Sequence, residues 1–196
     1  MKTKNLIILM LMTISIISIT SCKKDDDIPT PTALTPSVSN ASFEFLNTGN
    51  KWTYNYTTWF GDNEVLTQEI ISVSNSKYRV VSIINSDTVL AANWYASGQY
   101  LKTLIDGEAE AESIYKFNPS LNDTWTAQGS SNSIITYRVV KLNDTIATTF
   151  GEFYDCVKIE VTFSDSFNTQ YNYWSKKYGL VYQEGAAGLD LINKNF

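Results

Sequence analysis

The sequence lacks histidine altogether and contains few arginines and cysteines. Without histidine there is no Ser-His-Asp or Cys-His catalysis, no His-ligated zinc or haem, and no imidazole pH switch. Two cysteines, Cys22 and Cys156, are too few for a disulfide scaffold or a thiolate metal site. A net charge of -5, with Arg79 and Arg138 as the only arginines, argues against nucleic acid, whose phosphates require clustered basic residues. We therefore expect no metal, no cofactor and no nucleic-acid partner.

The start of the chain has the features of a bacterial lipoprotein signal. Two lysines precede an uncharged stretch, residues 6–19, which is shorter than the ~20 residues of a membrane-spanning helix but suits the apolar core of a cleaved signal. The Ile-Thr-Ser-Cys sequence at 19–22 resembles the lipobox, in which the cysteine thiol receives a diacylglyceryl group and a peptidase cuts just before it. The sequence predicts a signal peptide at 1–21 and lipidation of Cys22, which supplies the membrane anchor. The alternative is an ordinary secretory signal that contains a cysteine.

Residues 22–40 are predicted to be the lipidated cysteine and a disordered tether. Two lysines and three aspartates follow Cys22, and the next residues are rich in Pro, Thr and Ser. Such a segment cannot bury enough apolar area to order itself. Lys and Asp directly after the lipidated cysteine resemble the export signal of Bacteroidetes lipoproteins displayed on the outer membrane. This resemblance favours a lipid-anchored protein on the cell surface, with the periplasmic face as the alternative.

Residues 41–196 are predicted to form a single all-β domain. All 26 aromatic residues fall within 43–196, and Thr, Val, Ile and Tyr dominate there. Apolar and polar residues alternate over 157–164 and over 52–57, as in half-buried strands. Several other strands are apolar on both faces, which indicates a sheet covered on both sides. The sequence predicts one antiparallel meander of roughly ten to twelve strands, strongly curved into an open or closed barrel, with a β-sandwich as the alternative.

Turn residues divide this domain into short strands. Asn143-Asp144 is predicted to be one of the turns. Residues 108–114 are predicted to be a short strand or turn. A turn followed by Trp-Thr occurs at both 49–53 and 122–126, a weak duplication that indicates two similar hairpin starts. Further strands are predicted near 65–73, 77–84, 88–95, 99–105, 133–142, 145–150, 169–175, 178–184 and 188–193.

Three segments, 46–54, 148–161 and 171–184, together resemble a group of uncharacterised bacterial envelope lipoproteins. Their order, LNTGNKWTY, TTFGEFYDCVKIEV and YNYWSKKYGLVYQE, is similar to that of the YmcC- or TapB-like group of unknown function. Those proteins look related to the curved sheet of the lipoprotein carriers LolA and LolB. The sequence departs from the pattern at Thr149-Phe150, where Pro-Ala is usual, and at Lys177, which replaces a glycine. The resemblance implies fold and envelope location, and the family has no agreed catalytic residues to carry over.

The sequence contains no recognisable catalytic motif. It has no Gly-rich phosphate loop, no Gly-x-Ser-x-Gly elbow and no EF-hand loop, so we expect a protein that is not an enzyme. Paired carboxylates meet in space and leave no sequence motif, so an envelope hydrolase is the alternative. The carboxylates considered for such a pair are Glu69, Glu152, Asp155 and Glu160.

Aromatic, threonine and cysteine side chains supply the remaining candidate sites. Five tryptophans are candidates for stacking on sugar rings or for lining an apolar cavity, although β-propensity alone also explains them as core residues: Trp52, Trp59, Trp94, Trp125 and Trp174. Thr88 and Thr145 each stand in an Asp-Thr-aliphatic sequence, which resembles an O-glycosylation acceptor of Bacteroidetes envelope proteins. Cys156 is predicted to be a free thiol, partly shielded at the start of a strand.

These observations define the expected function. The sequence predicts a lipid-anchored cell-envelope lipoprotein that acts as a non-catalytic binding or scaffolding module. Its expected partners are the membrane, through Cys22, and a glycan, an apolar ligand or an envelope protein. A carrier or receptor for lipids or lipoproteins, by analogy with LolA and LolB, is a further alternative.

Overall fold

A computed structural model describes residues 42–58, 60–129 and 133–196. The predicted signal peptide, Cys22 and the tether lie outside these described residues, and so does Trp59. Among the described residues, no helix is long and apolar enough to cross a membrane.

The described residues form twelve β-strands. The first six are β1 (Lys51–Thr57), β2 (Asn63–Ser74), β3 (Lys77–Ile84), β4 (Asp87–Ser97), β5 (Tyr100–Ile105) and β6 (Glu112–Lys116). The second six are β7 (Thr124–Gln128), β8 (Ile134–Ala147), β9 (Glu152–Phe163), β10 (Thr169–Ser175), β11 (Gly179–Glu184) and β12 (Gly188–Lys194).

All twelve strands belong to one antiparallel sheet that curves into a nearly closed barrel. Each strand except β6 pairs with the next along the chain, and β1 also pairs with β12, which joins the two halves of the sequence. β6 and β7 are the two edge strands of the sheet, and no backbone ladder joins them within the described residues. The predicted antiparallel meander is confirmed, and the β-sandwich alternative is not observed because there is a single sheet.

The predicted turn at Asn143-Asp144 is wrong. Residues 133–142 and 145–150 were expected to be separate strands, but one strand, β8, runs from Ile134 to Ala147 across the predicted turn. Asn143 has a φ of 54°, and the pairing of β8 with β9 shifts register on both sides of Asp144. Asparagine tolerates this left-handed conformation in a bulge as readily as in a turn, so the residue type alone could not separate the two. The chain reverses instead between Thr148 and Gly151, whose backbone groups hydrogen-bond to each other.

Cys156 is more deeply buried than its expected place at the start of a strand implied. β9 begins at Glu152, so Cys156 lies inside the strand and is fully buried. Asp155 has a φ of 57°, and this irregularity breaks the alternation so that both Cys156 and Val157 are buried. The described residues contain no disulfide partner for the thiol, and burial raises its pKa to about 12. A thiol with that pKa is not a thiolate near neutral pH, so we expect it to be unreactive in the folded protein.

The two similar hairpin starts expected from the Trp-Thr repeat are confirmed. In the first, the Gly49 N–H donates to the Ile70 carbonyl and the Ile70 N–H donates to the Asn50 carbonyl. In the second, the Asn122 N–H donates to the Val139 carbonyl and the Val139 N–H donates to the Asp123 carbonyl. Gly49 and Asn122 share a positive φ, and Ile70 and Val139 are both fully buried. The strand sets β1–β6 and β7–β12 therefore begin in the same way.

An aromatic cluster fills part of the barrel interior. The segment before β1 contributes Phe43, Phe45 and Leu46, all buried. The ring of Phe45 packs against Trp52 and Trp174, with centroids 6.3 and 6.2 Å away. A Cβ atom on Gly179, whose φ is 78°, would lie 3.2 Å from this ring. Glycine is required there by both the backbone conformation and the close approach of Phe45.

Candidate functional site: the barrel cavity

The part of the barrel interior that the aromatic cluster leaves open is a cavity of about 220 Å³. Strands from both halves of the chain line it, and Trp174 contacts Phe45 of the aromatic cluster while also lining the cavity. An engineered core cavity of ~150 Å³ holds benzene, whereas pockets for drug-sized molecules range over ~300–1,000 Å³. The space therefore fits a small molecule of one ring or a short chain.

The cavity has a mostly apolar lining with a few polar groups. Its aromatic side chains are Trp94, Tyr137, Phe163 and Trp174, and its larger aliphatic side chains are Val80, Leu90, Ile105, Ile114, Val161 and Leu180. Its polar side chains are Gln68, Ser82, Thr103, Glu112, Gln170 and Asn172. None of these described lining residues is lysine or arginine. Such a mixture of apolar walls and a few hydrogen-bonding groups is typical of small-ligand sites.

The repeated strands place matching positions around the cavity. Across the hairpins, Trp52 pairs with Gln68 just as Trp125 pairs with Tyr137. Following the strand pairings outward from these two positions identifies equivalent lining residues in the two halves. There are five such pairs: Gln68 and Tyr137, Ser82 and Val161, Leu90 and Gln170, Ala92 and Asn172, and Trp94 and Trp174. The cavity therefore has one tryptophan at the equivalent place in each half of the barrel.

Among the described residues that line this cavity, Glu112 is the one with an acidic or basic side chain. It begins β6, pairs with Thr103 of β5, and its Oε1 accepts a hydrogen bond from the Tyr137 hydroxyl. Burial raises the pKa of Glu112 to about 7. Within the described residues it forms no ion pair. The carboxyl group is therefore poised between its neutral and charged forms near neutral pH.

We call the contact between β6 and β7 the seam. Side chains close it where the backbone ladder is missing. The Trp125 indole N–H donates to the Ser113 carbonyl at 2.7 Å, and Lys116 Nζ lies 2.7 Å from Asp123 Oδ2. Tyr137 of β8, whose ring stacks on Trp125 with an interplanar angle of 3°, also reaches across the seam through the hydrogen bond from its hydroxyl to Glu112. These contacts hold two short edge strands together without a continuous row of backbone hydrogen bonds.

The tryptophans predicted to stack on a ligand are buried where the structure describes them. Trp94 and Trp174 line the cavity, whereas Trp52 and Trp125 are buried without lining it. Trp52 donates its indole N–H to the Tyr178 carbonyl at 2.7 Å. Stacking on a ligand therefore remains a prediction for the two cavity tryptophans.

The two predicted O-glycosylation sites lie on the surface. Thr88 and Thr145 are both exposed, at the start of β4 and near the end of β8. Exposure is compatible with a bulky sugar, and modification itself remains a prediction.

The four candidate carboxylates for a hydrolase are not assembled into one site. Glu69 pairs with Lys51 at 2.7 Å, and Glu160 pairs with Arg138 at 2.9 Å. Glu152 and Asp155 line an outer groove of about 580 Å³, away from the cavity. The groove also contains the exposed rings of Phe150 and Tyr154 and the lysines Lys176, Lys177 and Lys194. Glu152 accepts a hydrogen bond from the Tyr154 hydroxyl.

Sequence reasoning did not identify Glu112 or Tyr137 as site residues. The alternation of Glu108, Glu110 and Glu112 was the available signal, and it indicated only a short strand or turn. Among the described residues, no group of three or more His, Cys, Asp or Glu side chains is placed to hold a metal ion. No protein-family model, curated protein or solved structure matches the chain.

Proposed function

We propose that this protein is a lipid-anchored envelope binding module whose barrel encloses a small, mostly apolar ligand. The cavity of about 220 Å³ is the observation that carries the proposal. A domain that served only as a scaffold would be expected to have a closely packed interior, because cavities lower the stability of a core. Here two tryptophans and several aliphatic side chains surround open space instead.

The mixed lining supports binding in preference to catalysis. The cavity holds one carboxyl group, Glu112, and a Tyr137 hydroxyl that is already hydrogen-bonded to it. Hydrolysis by paired carboxylates needs a second carboxyl group on the other side of the scissile bond, and none of the described lining residues provides it. The remaining polar groups are amides and hydroxyls that orient a ligand without reacting with it.

A titration of the two cavity tryptophans tests ligand binding directly. The mature chain carrying Cys22→Ala is used, so that no detergent competes for the cavity. We expect toluene to shift the indole N–H resonances of Trp94 and Trp174 in a saturable manner. Ala92→Leu fills the cavity and should abolish these shifts. Ala91→Leu, one residue away and outside the lining, is the matched control and should retain them. Saturable shifts that persist in the filled variant would place the ligand elsewhere.

The anchor is proposed from the lipobox at 19–22 and the polar, Pro-rich tether that follows it. Eighteen tether residues at ~3.1 Å each in a polyproline-like state reach roughly 55 Å, so the barrel need not touch lipid. Cys22→Ala should abolish palmitate labelling and release the domain into the soluble fraction. Retention of that variant in the membrane after signal removal would contradict the tethered model. Shaving by protease added to intact cells supports surface display, and protection until lysis supports the periplasmic face.

A further inference from the structure

The cavity has an acidic margin beside the seam. A second recess of about 160 Å³ shares Thr103, Ile105 and Glu112 with the cavity, so Glu112 lies where the two spaces meet. Glu108 and Glu110 line this recess, and no described residue in its lining is lysine or arginine. We call this recess the acidic mouth. A ligand that arrives through it passes three carboxyl groups that have no cationic partner there.

Trp174 carries the one buried side-chain polar atom that has no hydrogen-bond partner among the described residues. The residue is 3% exposed, lines the cavity, and stacks on Tyr115 with ring centroids 5.0 Å apart. Trp52 and Trp125, by contrast, each donate the indole N–H to a carbonyl at 2.7 Å. An unpaired buried donor destabilises the protein, and a ligand oxygen that accepts its hydrogen bond removes that penalty.

The two features select for different properties of one ligand. The Trp174 N–H requires an acceptor atom. The carboxyl groups of the acidic mouth repel an anion, most strongly at the partly buried Glu112, because water screens the exposed Glu108 and Glu110. Tyr137 from β8 donates to Glu112, and the neighbouring strands contribute Thr103 and Gln128, which do not titrate. None of the described residues that line the mouth carries a positive charge.

We propose that the cavity binds a small uncharged molecule whose carbonyl-type oxygen accepts a hydrogen bond from the indole N–H of Trp174, and that the acidic mouth excludes anionic molecules. This inference rests on the proposed function, because it names the ligand class of the same cavity. Ketones, esters and amides with one ring or a short chain have this chemistry. Free fatty acids and other carboxylates do not.

Four probes of nearly equal size test the proposal by calorimetry on the mature Cys22→Ala chain. They are acetophenone, isopropylbenzene, benzoate and benzylamine. Trp174→Phe removes the N–H and keeps an aromatic ring, so it should weaken acetophenone about threefold to tenfold and leave isopropylbenzene nearly unchanged. In the unsubstituted cavity, acetophenone should shift the Trp174 indole proton downfield through the new hydrogen bond, whereas isopropylbenzene, like toluene, should shift it only through its ring current and without that downfield change. That second measurement does not depend on the folding of the variant.

The acidic mouth is tested with Glu112→Gln. In the unsubstituted cavity, benzoate should bind at least about tenfold more weakly than acetophenone. In Glu112→Gln the difference in affinity between the two probes should be smaller, because the substitution removes one of the three carboxyl groups. Equal losses of acetophenone and isopropylbenzene in Trp174→Phe, or benzylamine as the tightest probe, would overturn the proposed ligand class while leaving a binding cavity. Failure of all four probes to bind would overturn the proposed function together with this inference.

Discussion

The two halves of the barrel contact each other at two places, and different interactions hold them together at each. We call the pairing of β1 with β12 the junction. It is a backbone ladder that runs from Trp52 paired with Lys194 to Thr57 paired with Gly188. Asn195 extends it, because its side chain accepts from the Lys51 N–H and donates to the Gly49 carbonyl. The seam between β6 and β7 has side-chain contacts in place of a ladder.

This difference separates the part of the barrel that sets its stability from the part that opens at low cost. Opening the junction breaks a cooperative row of backbone hydrogen bonds and exposes buried residues such as Leu191. Opening the seam breaks a few side-chain contacts around two five-residue strands. Local openings concentrate where few buried contacts and few ladder bonds must be lost. The seam, which borders the acidic mouth, is therefore the natural route into the cavity.

The largest expected effect on stability comes from truncating one apolar side chain at the junction and one at the seam. Leu191→Ala, at a fully buried position of the junction, should lower the free energy of unfolding by about 3 kcal/mol. Ile114→Ala on β6 should cost about 1 kcal/mol, because that side chain is half-buried and already borders empty space. Urea unfolding measures both. Equal losses would show that the seam contributes as much to stability as the junction does.

A smaller effect is expected from the titratable group beside the seam. Burial raises the pKa of Glu112 to about 7, above the 4.5 of an exposed glutamate. Between these two values the folded state holds the proton more tightly than the unfolded state, so stability falls as the pH rises and levels off above pH about 7. Glu112→Gln removes this loss. The free energy of unfolding of the variant minus that of the unsubstituted protein should therefore be about 1–3 kcal/mol larger at pH 8 than at pH 5. Parallel profiles in urea unfolding at the two pH values would contradict this assignment.

The smallest effect compares two tryptophans that occupy the same place in the repeat. Trp125→Phe and Trp52→Phe each remove an indole hydrogen bond of 2.7 Å, and each should cost about 1 kcal/mol. Trp125→Phe should speed amide hydrogen exchange mainly in β6 and β7. Trp52→Phe should act through global unfolding and leave no such local signal. Matching exchange patterns in the two variants would remove the distinction between seam and junction.

Much of the fold could be predicted from local patterns. The alternation at Val157, Ile159, Val161 and Phe163 and the turn residues between strands were sufficient for a meander, because each hairpin is a local structure. The bulges at Asn143 and Asp155 were not predictable, since their residues are equally suited to turns. That ambiguity produced the false turn in β8, whereas the partial shielding expected for Cys156 followed from strand parity, which the bulge at Asp155 interrupts.

The candidate site was much less predictable than the fold. Trp94 and Trp174 were singled out as candidates for an apolar cavity, but their equivalence follows from registers accumulated over several strands. Glu112 meets Tyr137 across the seam, where no ladder fixes the alignment and no local pattern reports it. A single residue of slip would turn either side chain to the other face of its strand.

The junction also determines how the chain could be rewired. Since β1 and β12 are neighbours, a short linker from Phe196 to the segment before β1 would connect strands that already lie side by side. New ends could then be created between β6 and β7, where no ladder bond is cut. Such a circular permutant would keep every strand pair and make the order of the strands along the chain the same as their order across the sheet, with the new chain ends at the cavity margin. A reporter group attached to those ends would lie beside the acidic mouth and sense its opening.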